Sequence, residues 1–309
     1  MKLPITCNKN FARGAGNAGS SPLGAEGFRL PILTILFALS AYLSPAQALH
    51  AYSSQDSARA KTYFDSSWHY GLNSAKHQLY LDSALMIIPT HAWYWQQKSM
   101  PLYKQQKYQL GRPFLDSAVK YDPRRWLDYR AFMKCIFEKN YRESLADFYA
   151  VRAMPGNNSS VMDHPYSFYI GLCHLQLNNF DSSEYYLKGC IDDEVKTHGE
   201  KWVHCNHLYY LGIVYIEKGN YPAAFDCFDR AIKLYDKFCD AKYYKAICQL
   251  KMDKKKEAAI TMDEANTNFK DGFGMNEDNV VYEKYPYQVP KGAYAAAVEY
   301  FHNEADKTN

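Results

Sequence analysis

Small and apolar side chains recur along this chain with a period of 34 residues. The clearest unit spans about 205–238, and its regularly spaced positions are Leu208, Leu211, Gly212, Tyr215, Ala224, Phe228 and Ala231. One period later the same positions hold Ala246, Ala258, Met262 and Ala265. A fixed period of this length predicts stacked helical hairpins, because one hairpin alone cannot bury its apolar face.

The period is uneven outside this unit. An extra stretch falls in 192–204, where we expect a longer helix or an inserted loop. The pattern slips by one residue in 125–157, and 58–91 keeps only the second-helix positions. Pro101 and Pro113 lie inside expected helices, where a proline removes a hydrogen bond at a cost of about 3 kcal/mol, so a kink or a shortened helix is expected.

The spacing in 205–238 resembles the tetratricopeptide repeat (TPR) family. The resemblance extends over about 215 residues, as five clear repeats and one degenerate N-terminal repeat. It implies an all-α, right-handed superhelical solenoid of helix-turn-helix hairpins, with no enzymatic activity and no cofactor. The expected organisation is a signal peptide at 1–48, a degenerate helical region at 49–91, the solenoid at 92–272, and an aromatic segment with a terminal helix at 273–309.

The N-terminus has the pattern of an export signal. Four basic residues precede a short apolar run at 30–43. Small residues follow this run and predict cleavage near Ala48. We therefore expect an exported protein, periplasmic or extracellular; an uncleaved signal anchor is the alternative and would supply the only membrane contact. The chain has 36 basic and 33 acidic residues, and cleavage of the signal removes four basic residues and one acidic residue. The mature chain then has 32 of each and a net charge of zero, so nucleic-acid binding is not expected.

The TPR resemblance implies that the first helices of the hairpins line a concave groove that binds a protein or peptide. The residues at these positions are mostly aromatic or apolar: Trp93, Gln96, Met100, Tyr103, Tyr129, Met133, Phe137, Phe168, Leu172, Gln176, Asn206, Tyr209, Ile213, Tyr243 and Ile247. A clamp for a terminal carboxylate is not expected, since only Arg130 and Asn206 approach that pattern. The predicted function is an exported scaffold or adaptor that captures an apolar peptide.

Two further interpretations stay open at the level of the groove. In the first, the aromatic side chains pack between helices instead of lining a groove. The second is a different function, a carbohydrate- or small-ligand-binding module, because Trp93, Trp95, Tyr103 and Tyr108 cluster near Pro101.

Periodicity stops after Phe269 and a turn-rich stretch at 271–279 follows. Pro286 and Pro290 predict an extended segment that carries Tyr282, Tyr285 and Tyr287. This segment either folds back onto the groove, docks a partner, or caps the stack; a last helix is expected over 292–306.

Seven cysteines remain after signal cleavage, and an odd number cannot all pair. Their positions at predicted helix contacts favour small buried thiols over disulfides. His204, Cys205 and His207 are metal-ligand types, but no second pair stands at metal-site distance, so no metal is predicted. The chain also lacks hydrolase, metalloprotease and phosphate-loop motifs.

Overall fold

A computed structural model describes residues 52–157 and 159–307. Thirteen α-helices account for most of this part of the chain, and twelve of them pair in chain order as six helical hairpins. The hairpins are α1 Ser54–Ser67 with α2 Ala75–Ile87, α3 Ala92–Lys104 with α4 Tyr108–Tyr121, α5 Pro123–Ile136 with α6 Tyr141–Arg152, α7 Tyr166–Gln176 with α8 Phe180–His198, α9 Cys205–Glu217 with α10 Tyr221–Leu234, and α11 Cys239–Lys251 with α12 Lys255–Lys270. Helix α13 spans Ala293–Asp306. The predicted all-α solenoid of TPR-type hairpins is confirmed.

In the fourth and fifth hairpins a glycine on the first helix faces a large side chain on the second. A Cβ placed on Gly212 of α9 would lie 2.7 Å from the ring of Phe228 on α10. Gly171 of α7 stands in the same relation to Leu187 of α8, also at 2.7 Å. The glycines let the helices cross closely while the large partners stay fully buried.

Turn residues end one helix and start the next. In the fifth hairpin Gly219 adopts a positive φ of 74°, a conformation that glycine reaches without steric strain. The Asn220 side chain then accepts a hydrogen bond from the Ala223 amide and caps α10. Pro222 fits the first turn of α10, where its missing N–H has no helical partner to lose.

Two sequence expectations about the helices have different outcomes. Helix α8 runs for 19 residues and a short 3-10 turn at Glu200–Trp202 follows it, so the longer helix expected near 192–204 is confirmed. For Pro101 and Pro113 a kink or a shortened helix was expected; α3 and α4 continue through them for 13 and 14 residues, so the shortening does not occur, and the kink stays a prediction. Packing of these two helices against each other offsets the single backbone hydrogen bond that each proline removes.

A two-stranded antiparallel hairpin, absent from the sequence prediction, precedes α7. Strand β1 is Ser160–Val161 and strand β2 is His164–Pro165, with Val161 paired to His164. The connecting residues Met162 and Asp163 both have positive φ, which a sequence without glycine or asparagine there does not suggest. The hairpin places the His164 side chain against the following helices, where it is buried.

Beyond α12 the chain returns across the stack before it forms its last helix. Helix α13 covers α12, with the rings of Phe269 and Tyr294 stacked at 4.5 Å, and so closes that end of the core. Residues 273–290, which we call the groove segment, contain only a short 3-10 turn at Asp278–Val281.

The expectation of a fully extended segment is wrong. Tyr287 has a φ of 58°, and the Gln288 amide bonds back to the Tyr285 carbonyl at 3.2 Å, so the chain turns there. The proline restrictions that predicted extension act only on the residues before Pro286 and Pro290 and leave Tyr287 free to adopt this turn.

The predicted signal peptide lies outside the described residues. Among the helices that are described, none combines the length and apolar character that a membrane crossing requires.

Candidate functional site

The groove segment lies against the first helices of the last two hairpins, α9 and α11. The hydroxyl of Tyr210 donates to the Pro286 carbonyl at 2.9 Å. The hydroxyls of Tyr209 and Tyr244 both donate to the Tyr287 carbonyl, at 2.8 and 3.2 Å. Aromatic side chains of α9 and α11 therefore hold main-chain atoms of the segment rather than its side chains alone.

Two contacts fix the ends of the groove segment at α11. The Val289 amide donates to the buried carboxylate of Asp240 at 2.7 Å. The thiol of Cys239 donates to the Phe273 carbonyl at 3.1 Å. Because both ends meet the same helix, the segment runs out along the stack and returns.

The far part of the loop reaches the turns of the second and third hairpins. Gln106 donates to the Tyr282 carbonyl at 2.9 Å, and the ammonium of Lys104 lies 4.7 Å above the Tyr282 ring. Glu283 accepts a hydrogen bond from Tyr108 and lies 3.6 Å from the ammonium of Lys139. The segment thus spans contacts from α3 to α11.

Side chains of the segment fill the space between these contacts. Met275, Tyr285 and Val289 are buried, and Tyr285 is only 2% exposed. Tyr287 is half-buried and its hydroxyl donates to Glu217 at 2.8 Å. Burial of such side chains removes apolar surface from water and stabilises the docked segment.

The structure buries most of the residues predicted to line a groove. Eleven of the fifteen are buried: Gln96, Tyr103, Met133, Phe137, Phe168, Leu172, Asn206, Tyr209, Ile213, Tyr243 and Ile247. Met100, Tyr129 and Gln176 are half-buried, and Trp93 is exposed. Asn206 and Tyr209 bond directly to the groove segment, whereas the Phe168 ring contacts Tyr210 of α9 and the Tyr243 ring contacts Tyr294 of α13.

The aromatic cluster near Pro101 does not form one exposed platform. Tyr103 is buried and donates a hydrogen bond to Glu138, while Tyr108 bonds to Glu283 of the groove segment. Trp95 stacks on Phe114 at 5.9 Å. The carbohydrate alternative is therefore not favoured.

Arg130, the basic residue that best matches the pattern of a carboxylate clamp, already has carboxylate partners. The guanidinium of Arg130 bonds to Asp147 at 2.8 and 2.9 Å and to Asp116 at 2.9 Å. These carboxylates occupy the donors that a ligand carboxylate would use.

Glu277 of the groove segment enters a buried polar cluster that the sequence did not indicate. Its carboxylate accepts from Asn206 at 2.6 Å and contacts the Nε2 atom of His164 at 2.9 Å. Burial opposes its ionisation, yet these hydrogen bonds and the nearby histidines hold the pKa of Glu277 below its ordinary value. His207 and His204 complete the cluster; burial is the first cause of their lowered pKa values, to about 4 for His204.

All seven cysteines of the described chain are buried and none forms a disulfide there. The Sγ atoms of Cys135 and Cys173 lie 3.5 Å apart, and burial raises the pKa of the Cys135 thiol. A protonated buried thiol behaves as a small apolar side chain.

Stacked two-helix hairpins, with one large apolar cluster that extends from the second to the sixth hairpin, define a helical-repeat solenoid. Residues 208–238 match the sequence profile of the tetratricopeptide repeat. The fold is similar to that of PilW, a type IV pilus biogenesis factor, with a TM-score of 0.56 and 13% identity over 71% of this chain and 95% of PilW. A tetratricopeptide repeat protein of Parabacteroides merdae has a TM-score of 0.54 and 14% identity over 72% of this chain and 96% of its own. PilF of Pseudomonas aeruginosa has a TM-score of 0.53 and 13% identity over 70% of this chain and 94% of its own.

No curated protein sequence matches this chain. Residues 208–238 resemble a tetratricopeptide repeat, and the chain shares the helical-hairpin fold of these solved structures.

Proposed function

We propose that this protein is an exported scaffold that binds an extended segment of a partner protein along the concave face of its helical stack. The observation that carries the proposal is the groove segment itself, whose main-chain carbonyls accept hydrogen bonds from Tyr209, Tyr210 and Tyr244. Hydroxyls that bond to main-chain carbonyls hold a polypeptide independently of its side chains. The face is therefore suited to a peptide ligand.

The same contacts imply competition between the partner and the groove segment. A partner gains access to Tyr209 and Tyr210 only when the chain's own residues leave them, since both side chains are now fully buried. The affinity for the partner is then reduced by the fraction of molecules whose groove is closed. Export rests on the N-terminal pattern of charged, apolar and small residues.

A labelled synthetic peptide of residues 273–291 tests this binding mode. We expect it to bind more tightly to the full chain carrying Tyr285→Ala than to the unchanged chain. Replacing a buried aromatic residue by alanine removes about 3–5 kcal/mol of packing and loosens the resident segment.

The matched control is Tyr185→Ala, because Tyr185 is 74% exposed on α8 and belongs to no groove contact described above. Fluorescence anisotropy measures both variants, and circular dichroism checks that each remains folded. Equal peptide binding by the Tyr285→Ala and Tyr185→Ala chains would contradict the proposed groove.

A further inference from the structure

Three histidine rings converge where the groove segment passes the start of α9. His164 comes from strand β2, His204 caps α9, and His207 lies in the first turn of α9. One candidate ligand atom from each residue lies within 4.8 Å of those of the other two. His164 and His207 are buried, and His204 is half-buried.

The hydrogen-bond partners of these rings leave two nitrogens facing each other. The Nδ1 atom of His164 lies 2.8 Å from the Nε2 atom of His207. The other nitrogen of each ring contacts a carboxylate: His164 Nε2 meets Glu277 and His207 Nδ1 meets Glu194, both at 2.9 Å.

Three short contacts link Glu277, His164, His207 and Glu194 in a row, and either one more proton or a cation between the two inner nitrogens satisfies them. A neutral imidazole carries one N–H, so two neutral rings supply two hydrogens for three short contacts. When both hydrogens point to the carboxylates, the two inner nitrogens direct lone pairs at one another. An ion between those nitrogens satisfies both lone pairs and leaves each ring neutral.

We propose that His164, His204 and His207 bind a divalent transition-metal ion, with Zn²⁺ as the best fit. Neutral imidazole nitrogens are preferred zinc ligands, and three of them form a known ligand set. Zinc–nitrogen bonds of about 2.0–2.1 Å in a tetrahedral site put two nitrogens about 3.3 Å apart, so the His164 and His207 rings separate by roughly half an ångström.

The flanking carboxylates match the usual surroundings of such a site. Metal-bound histidines commonly donate their other N–H to a carboxylate, which fixes the ring and its tautomer. Glu277 and Glu194 stand in that relation to His164 and His207. The Nδ1 atom of His204 accepts a 3.2 Å bond from the Asn206 amide, which holds this ring at the start of α9.

Cys190, Glu194 and His207 form a second group of possible ligands that shares one histidine. The contacts of that group meet at His207 Nδ1, which lies 2.9 Å from Glu194 and 3.4 Å from the Cys190 sulfur, whereas Nε2 is the ring nitrogen that faces His164. The three-histidine set requires no deprotonation. We therefore assign the metal to the histidines.

Isothermal titration of the metal-free, untagged full chain with Zn²⁺ tests the assignment. The expected result is one ion per chain for the unchanged protein, with binding weakened at least tenfold in His204→Gln and in His164→Gln. His302→Gln is the matched control, since His302 is half exposed on α13 and pairs with Asp263 at 2.9 Å. It should bind zinc as the unchanged chain does.

His204 is the most informative position because its partial exposure lets the variant fold. Thermal unfolding confirms folding of each variant, and Co²⁺ absorption reports whether sulfur joins the ligand set. Undiminished zinc binding in the folded His204→Gln chain, no binding by the unchanged chain, or binding lost only in Cys190→Ser would each overturn the assignment.

Discussion

Tyr210→Phe isolates the contribution of one hydroxyl to the docking of the groove segment. The ring remains in place, but the Pro286 carbonyl loses the donor that now lies 2.9 Å away. A buried carbonyl left without a partner costs about 1–3 kcal/mol. Because 1.4 kcal/mol corresponds to a factor of ten, the fraction of molecules with an open groove should rise about five- to hundredfold.

Hydrogen exchange at the Val289 amide measures that opening. This N–H donates to buried Asp240 at 2.7 Å, so it exchanges with solvent when the segment leaves. Tyr244→Phe is the matched comparison: Tyr287 keeps the bond from Tyr209, and exchange should change far less. The reasoning is refuted if Tyr210→Phe leaves Val289 exchange unchanged, or if Tyr244→Phe accelerates it equally.

Three other outcomes are expected. Gly212→Ala should lower the free energy of unfolding by about 1–3 kcal/mol, because the new Cβ lies 2.7 Å from the Phe228 ring. Gly189→Ala, in open space on α8, should raise that free energy by about 0.5–1 kcal/mol, and denaturant titration measures both variants. Glu283→Gln should speed Val289 exchange roughly tenfold by removing a charge-assisted contact, and an unchanged rate would oppose this. Zinc at a free concentration a hundred times its dissociation constant should stabilise the fold by about 2.7 kcal/mol. The melting temperature should therefore rise when zinc is added and fall back when a chelator removes it.

The repeats were predictable because their determinants are local. Gly212 and Phe228 lie in one hairpin, and the same small-to-large pairing occurs at Gly171 and Leu187 in the hairpin before it. Stacking then follows from burial of each hairpin's apolar face. Tolerance of Pro101 and Pro113 was not predictable, since it depends on packing between α3 and α4 rather than on helix propensity.

The candidate site was much less predictable than the fold. Aromatic residues near Pro286 indicated a special segment, but the turn at Tyr287 has no glycine to announce it. His204 and His207 were visible as ligand types. His164 and Glu277 were not predicted as part of a site. His164 stands 43 residues before His207, and Glu277 stands 113 residues after His164, so only the folded chain brings them together.

Glu277 connects the two proposals, since it belongs to the groove segment and also orients His164. A bound metal that needs this carboxylate favours the docked segment, and an opened groove weakens the metal site by the same free energy. The two proposals remain separable. His204→Gln removes a ligand without touching the carbonyl contacts of Tyr209 and Tyr210, and Tyr210→Phe weakens those contacts while leaving all three histidines in place.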